Sequence, residues 1–153
     1  MNNFTQSCWF QRGWTLQELM IPGSITFYNR DWIEIGTKSS LITDISKVTG
    51  IAIEFLKYPH KASVAQKMSW GFHRQTTRKE DEVYCLLGLF DVIMPLLYGE
   101  SSKAFSRLQE VFIKISADQS IFAWENDDRD QSWSGMLAES PVDYAASGKI
   151  VAG

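Results

Sequence analysis

Cysteine and histidine are scarce, two of each in 153 residues. Cys8 and Cys85 have no CxxC spacing, and His60 and His73 cannot complete with them the tetrahedral set of ligands that zinc requires, so no metal is expected. Thiols this few and this far apart fit a reducing compartment, which points to the cytoplasm. An excess of basic residues is also missing. Fifteen Lys and Arg stand against 18 Asp and Glu, a net charge of -3, so no broad positive surface is available for phosphate backbones and nucleic acid is not an expected partner. No apolar run reaches the roughly 18 to 20 residues that span a bilayer, and "MNNFTQSCWF" lacks the basic start and apolar stretch of a secretory signal. A membrane is therefore not expected either. Gly-rich phosphate loops and a GxSxG nucleophile turn are absent.

Rings, by contrast, are plentiful: six Trp, five Tyr and nine Phe. With 44% hydrophobic and 22% charged residues, the composition is that of a globular chain long enough to bury a core, and the rings are assigned to that core first. "RGWTLQELM" has a helical pattern. On a wheel of roughly 100° per residue, Trp9, Gly13, Leu16 and Met20 fall on one side and Trp14 and Glu18 on the other. Pro22 and Gly23 stop the helix. "SITFYN" then alternates Ile25 and Phe27 against Thr26 and Tyr28, the period of a half-buried strand, and "WIEIG" can return as a second strand after the turn "NRD".

Helical spacing resumes with Leu41, Ile42, Ile45 and Val48, and Gly50 is a natural stop. In "SVAQKMSWGF", Ser63 and Gln66 have the spacing of a capping box, with Val64, Met68 and Phe72 facing inward. Thr77 and Glu80 suggest a second box ahead of Val83, Tyr84, Leu86 and Leu87. "DVIMPLLYGES" is an apolar loop expected to pack beneath something, with Pro95 barring helix and Gly99 marking a turn. "SKAFSRLQEVFIKIS" is the clearest helix, its inner stripe Phe105, Leu108, Phe112 and Ile115, with Arg107, Glu110 and Lys114 opposite. Glu110 and Lys114 have the favourable i,i+4 order. "SIFAWE" is expected as a short strand, "NDDRDQS" as a charged surface loop, and the tail as the start of another strand. The fold class is α+β, mostly helical.

Few residues suggest chemistry. Cys85, within "YCLLGLF", is expected to be an inert core thiol, and His73 with Arg74 and Arg78 a solvated cationic helix end. Glu18 next to Trp14 is a surface glutamate on the wet side of its helix, or one wall of a cleft in which a carboxylate acts as general acid or base or orients a ribose hydroxyl.

Taken in order and spacing, "WFQRGWTLQELM", "SVAQKMSW", "TTRKEDEVYCLLGLFDVIMPLLYGE", "KAFSRLQEVFIKIS", "SIFAW" and "LAESP" resemble the fungal heterokaryon incompatibility (HET) domain proteins. The resemblance runs from about residue 8 to the end, and implies a role in nonself recognition and cell-death signalling with a protein partner. In that family "RGWTLQEL" closes the HET domain, so the likeness implies that residues 1–36 are the end of such a domain, the remnant of an α/β (TIR-like) fold. Residues 37–153 are then an adjoining helical region with short strands. Two family motifs that precede this point, Ser-His-Thr-Trp-Gly and Trp-Val-Asp-Thr-Cys-Cys, do not occur, which makes a fragment without independent catalysis or cofactor the expectation. Ser101, in "YGES", stands where the family usually has glycine. Because some TIR relatives cleave NAD with a Trp-x-x-x-Glu glutamate, the likeness also implies an alternative, an NAD glycohydrolase with Glu18 catalytic and Trp14 shaping the cofactor pocket. A further alternative is a helical adaptor built on residues 63–116. A sheet without neighbours before residue 36 predicts higher mobility there than in the helix of residues 103–116.

Overall fold

Helix α1 (Thr15–Met20) begins where the Thr15 hydroxyl donates to the carbonyl of Trp9 at 2.5 Å, closing off a preceding 3-10 turn, Cys8–Gln11. It buries Thr15, Leu16, Leu19 and Met20. The chain then forms a two-stranded antiparallel sheet, β1 (Thr26–Tyr28) and β2 (Glu34–Thr37), with Phe27 opposite Gly36 and an irregular register next to Tyr28. The Asn29 side chain makes the turn by accepting from the backbone N–H groups of Asp31 and Ile33, both at 2.9 Å. Described in the computed structural model are residues 4–72, 74–125 and 135–151.

Four further short or medium helices lead to the longest. Helix α2 (Ile42–Thr49) ends on Gly50, whose φ of 72° is the left-handed geometry of a helix stop. After α3 (Ile53–Lys57), helix α4 (Val64–Gly71) opens on the Ser63–Gln66 capping box, as the spacing predicts. Helix α5 (Lys79–Phe90) and helix α6 (Lys103–Ile115) complete the set. Helix α4 packs on α5 and on two 3-10 segments, Gln119–Phe122 and Pro141–Lys149, while α5 also meets α1 and α6. Phe10, Leu16 and Leu19 share one core with Ile45, Met68, Tyr84, Leu86, Phe105, Leu108 and Tyr144. The chain is thus α+β and mostly helical, with a small sheet at one side.

Several expectations are corrected. "SIFAWE" is a 3-10 helix rather than a strand, because Asp118 accepts from Ser120 N–H at 2.9 Å and from Val64 N–H at 2.9 Å, bending the segment under the start of α4. The tail is likewise helical. Ser140 and Asp143 cap the segment Pro141–Lys149, and no strand follows through Val151. Ile115, placed on the inner stripe of α6, is 61% exposed; the fully buried polar Gln109 occupies the inner face instead. Its Nε2 donates to the carbonyl of Ala138 at 2.8 Å and its Oε1 accepts from Ala138 N–H at 2.9 Å, so a side-chain amide replaces a strand partner. Among the described residues the ion pairs are Lys61–Glu54 and Arg107–Glu100, and Glu110–Lys114 is not one of them.

The apolar loop after α5 only partly fulfils its expectation. Val92 and Met94 are buried, but Ile93 is 99% exposed and Leu96, Leu97 and Tyr98 are about half exposed. The Thr77–Glu80 box does not form either. Helix α5 starts after Arg78 with no side-chain cap, and Glu80 turns instead to the loop, where its Oε1 accepts from the N–H groups of Gly99 (2.8 Å) and Ser101 (3.0 Å). His73 and "NDDRDQS" lie outside the described residues.

Candidate functional site

The first helix was expected to run unbroken from Trp9, which would put Trp9 and Glu18 on opposite sides. The turn Cys8–Gln11 breaks it, and that break brings them together. Trp9 Nε1 donates to Glu18 Oε2 at 3.1 Å in an exposed position. Ser7 helps to set the ring by accepting from Trp9 N–H at 3.3 Å. Trp14 is half-buried and packs against the core, while Glu18 is exposed. The two proposed site residues are thus one turn apart as expected, but the indole bonded to the carboxylate is that of Trp9.

Trp9 belongs to a cluster of four rings. Phe4 meets Phe10 and Phe27 edge-on, with centroids 5.1 and 5.0 Å apart, and Trp9 meets the same two at 5.1 and 5.7 Å. Edge-to-face contacts at these distances stabilise beyond the area they bury, by about 0.5–1.5 kcal/mol each. The cluster walls an open cleft of about 810 Å³ along β1, also lined by Ile25, Tyr28, Arg30 and Ile35. Neither Trp14 nor Glu18 lines it, and no acidic side chain among the described residues does. Its chemistry is that of an apolar surface with a cationic rim. That suits the recognition of another chain and offers no carboxylate for acid–base work at its floor.

The sheet beside the cleft has two strands, so each strand has one edge without a partner among the described residues. Such edges are templates for pairing with another chain. The signal for this cleft was present in the sequence, since Phe4, Trp9 and Phe10 crowd the first ten residues and Phe27 sits at an inward strand position. What the sequence did not convey was that the 3-10 turn folds the first three back over the strand.

Other candidates resolve as structural. Cys85 is fully buried, and burial pushes its thiol up to about 12, with the nearby Arg74 opposing only in part. That thiol stays protonated and inert at neutral pH. Arg74, expected in a solvated helix end, is instead buried and donates to the carbonyl of Phe10 at 2.5 Å, fastening the opening segment to the body. Among the described residues no group of three or more His, Cys, Asp or Glu could hold a metal ion, and no helix is long and apolar enough to cross a membrane.

Compared with known proteins, the chain is similar to the vegetative incompatibility protein HET-E-1 of Podospora anserina, with 47% identity over 122 residues. The match takes in 77% of this chain and 9% of that protein, so the chain corresponds to a small part of its relative. No family model and no solved structure matches the chain.

Proposed function

We propose that this chain belongs to the vegetative incompatibility proteins and serves fungal nonself recognition and cell-death signalling as a cytoplasmic protein-binding module, without catalysis of its own. The likeness to HET-E-1 carries this reading, since identity of 47% over 122 residues far exceeds what a common composition produces. The open aromatic cleft supports the binding part. Rings fixed edge to face present a large, pre-ordered apolar surface at little entropic cost, and the unpaired strand edge beside them supplies backbone donors and acceptors.

The test is genetic and biochemical. Phe27→Asp, placed at the equivalent position of the full-length relative, is expected to abolish the incompatibility reaction while the protein accumulates at normal level. A full reaction with the charged cleft would overturn the assignment. Against the NAD glycohydrolase alternative, incubation of purified chain with NAD is expected to release no nicotinamide. Release that disappears in Glu18→Gln would replace the binding module with an enzyme whose catalytic carboxylate is Glu18, beside Trp14.

A further inference from the structure

A second cleft, of about 460 Å³, lies between the end of α1 and the segment carrying α2 and α3. Its apolar lining includes Ile21, Ile42 and Leu56, and its polar side chains are Lys38, Ser39, Lys57 and Tyr58. Among the described residues no carboxylate lines it. Every polar side chain there can donate a hydrogen bond, and two are cations.

Lys38 is the unusual member. It is 8% exposed, and its Nζ makes one hydrogen bond, donating to the carbonyl of Leu19 at 2.7 Å. Neither of the ion pairs among the described residues includes it. An ammonium has three N–H groups, so two have no protein partner among the described residues. Burial draws its pKa below the usual lysine value, the mark of a cation that the protein itself does not neutralise. A buried charge without a counter-charge is costly, and an anion entering the adjoining space removes that cost.

We propose that this cleft binds a small carboxylic acid, whose carboxylate accepts from the free N–H groups of Lys38 while its apolar body lies against Ile21, Ile42, Leu56 and the ring of Tyr58. Lys57, exposed at the same cleft, adds positive potential at the entrance. A monoanion matches the single buried cation, and an apolar body attached to it meets Ile21, Ile42 and Leu56 beside that cation, contacts that a bare phosphate ion would leave unused. The volume falls within the range of ordinary small-molecule sites. This site is separate from the aromatic cleft and does not depend on the role in incompatibility.

Octanoate and octanol distinguish the charged contact from simple apolar adsorption. Titrated into the whole chain and followed by amide NMR, octanoate is expected to saturate with shifts centred on Ile42, Leu56 and Tyr58. Octanol is expected to bind about tenfold more weakly or worse, the difference a charge-assisted hydrogen bond makes. Lys38→Met keeps the side-chain length and is expected to erase the preference. Should that variant fail to fold, the wild type still decides: with lysine labelled at Cε, octanoate must raise the titration midpoint of Lys38. Equal binding of acid and alcohol, absence of binding, shifts centred elsewhere, an unmoved Lys38 midpoint, or undiminished octanoate binding by folded Lys38→Met would each overturn the site.

Discussion

Ser101 has a φ of 53°, the left-handed region that costs a residue with a side chain about 1 kcal/mol or more. The position is one where the resembling family usually has glycine, and the backbone explains why. Ser101→Gly is expected to stabilise the chain by about 0.5–1 kcal/mol, measured as a higher urea midpoint at unchanged slope. Its N–H points to Glu80, and that bond, with Gly99 N–H, holds the Glu80 carboxyl below the ordinary 4.5. A carboxyl whose folded pKa is depressed contributes stability above its unfolded value and loses it as pH falls through the folded one. Wild type is therefore expected to lose stability progressively below pH 4.5, and Glu80→Gln to lose less across the same window. Urea unfolding at stepped pH checks both slopes.

Between α5 and α6, the loop of residues 91–102 leaves apolar side chains outside and fixes its own backbone from within. Tyr84 OH accepts from Leu97 N–H at 2.8 Å, Arg107 pairs with Glu100 and donates to the carbonyl of Pro95 at 2.7 Å, and Tyr98 OH donates to Asp81 at 2.9 Å. Side chains from both helices thus supply the hydrogen bonds that a loop without regular structure would otherwise take from water. At the start of α4 the same principle operates locally. Ser63 Oγ accepts from Gln66 N–H at 3.2 Å and donates to the carbonyl of Ile150 at 2.5 Å, so Ser63→Ala removes a cap and a tether to the tail together. A loss of about 1–2 kcal/mol by thermal or urea unfolding is expected.

For the molecule as a whole, stability is distributed unevenly by construction. Helix α6 buries Phe105, Leu108 and Phe112 and ties Gln109 to Ala138, whereas β1 and β2 bury none of their residues, which are half-buried at most. Amide hydrogen exchange is expected to be faster in residues 26–37 than in 104–112, and equal protection of the two would contradict it. The sheet borders the aromatic cleft, so the region proposed to meet a partner also has less packing than α6 to lose on rearrangement. The opening segment is nonetheless fastened on: Gly13 N–H donates to Gln75 at 3.0 Å, and Gln17 Nε2 to the carbonyl of Tyr84 at 2.8 Å.

Local rules alone determined the elements whose signals lie within a few residues. The Ser63–Gln66 cap, the Gly50 stop, the alternation of Ile25 and Phe27, and the stripe of Phe105, Leu108 and Phe112 were legible because periodicity and capping chemistry act over one or two turns. Contacts between distant residues were not legible. Glu80 bonding residues 99 and 101, Gln109 bonding Ala138, Trp9 reaching Glu18 and Lys38 left without an acid all depend on which segments the fold brings together. A polar side chain spaced for a cap is equally able to satisfy a loop, and only the packed neighbours decide which donors it meets. For the same reason the sequence placed Glu18 on α1, while the tertiary structure decided which indole it bonds and opened the cleft along the strand.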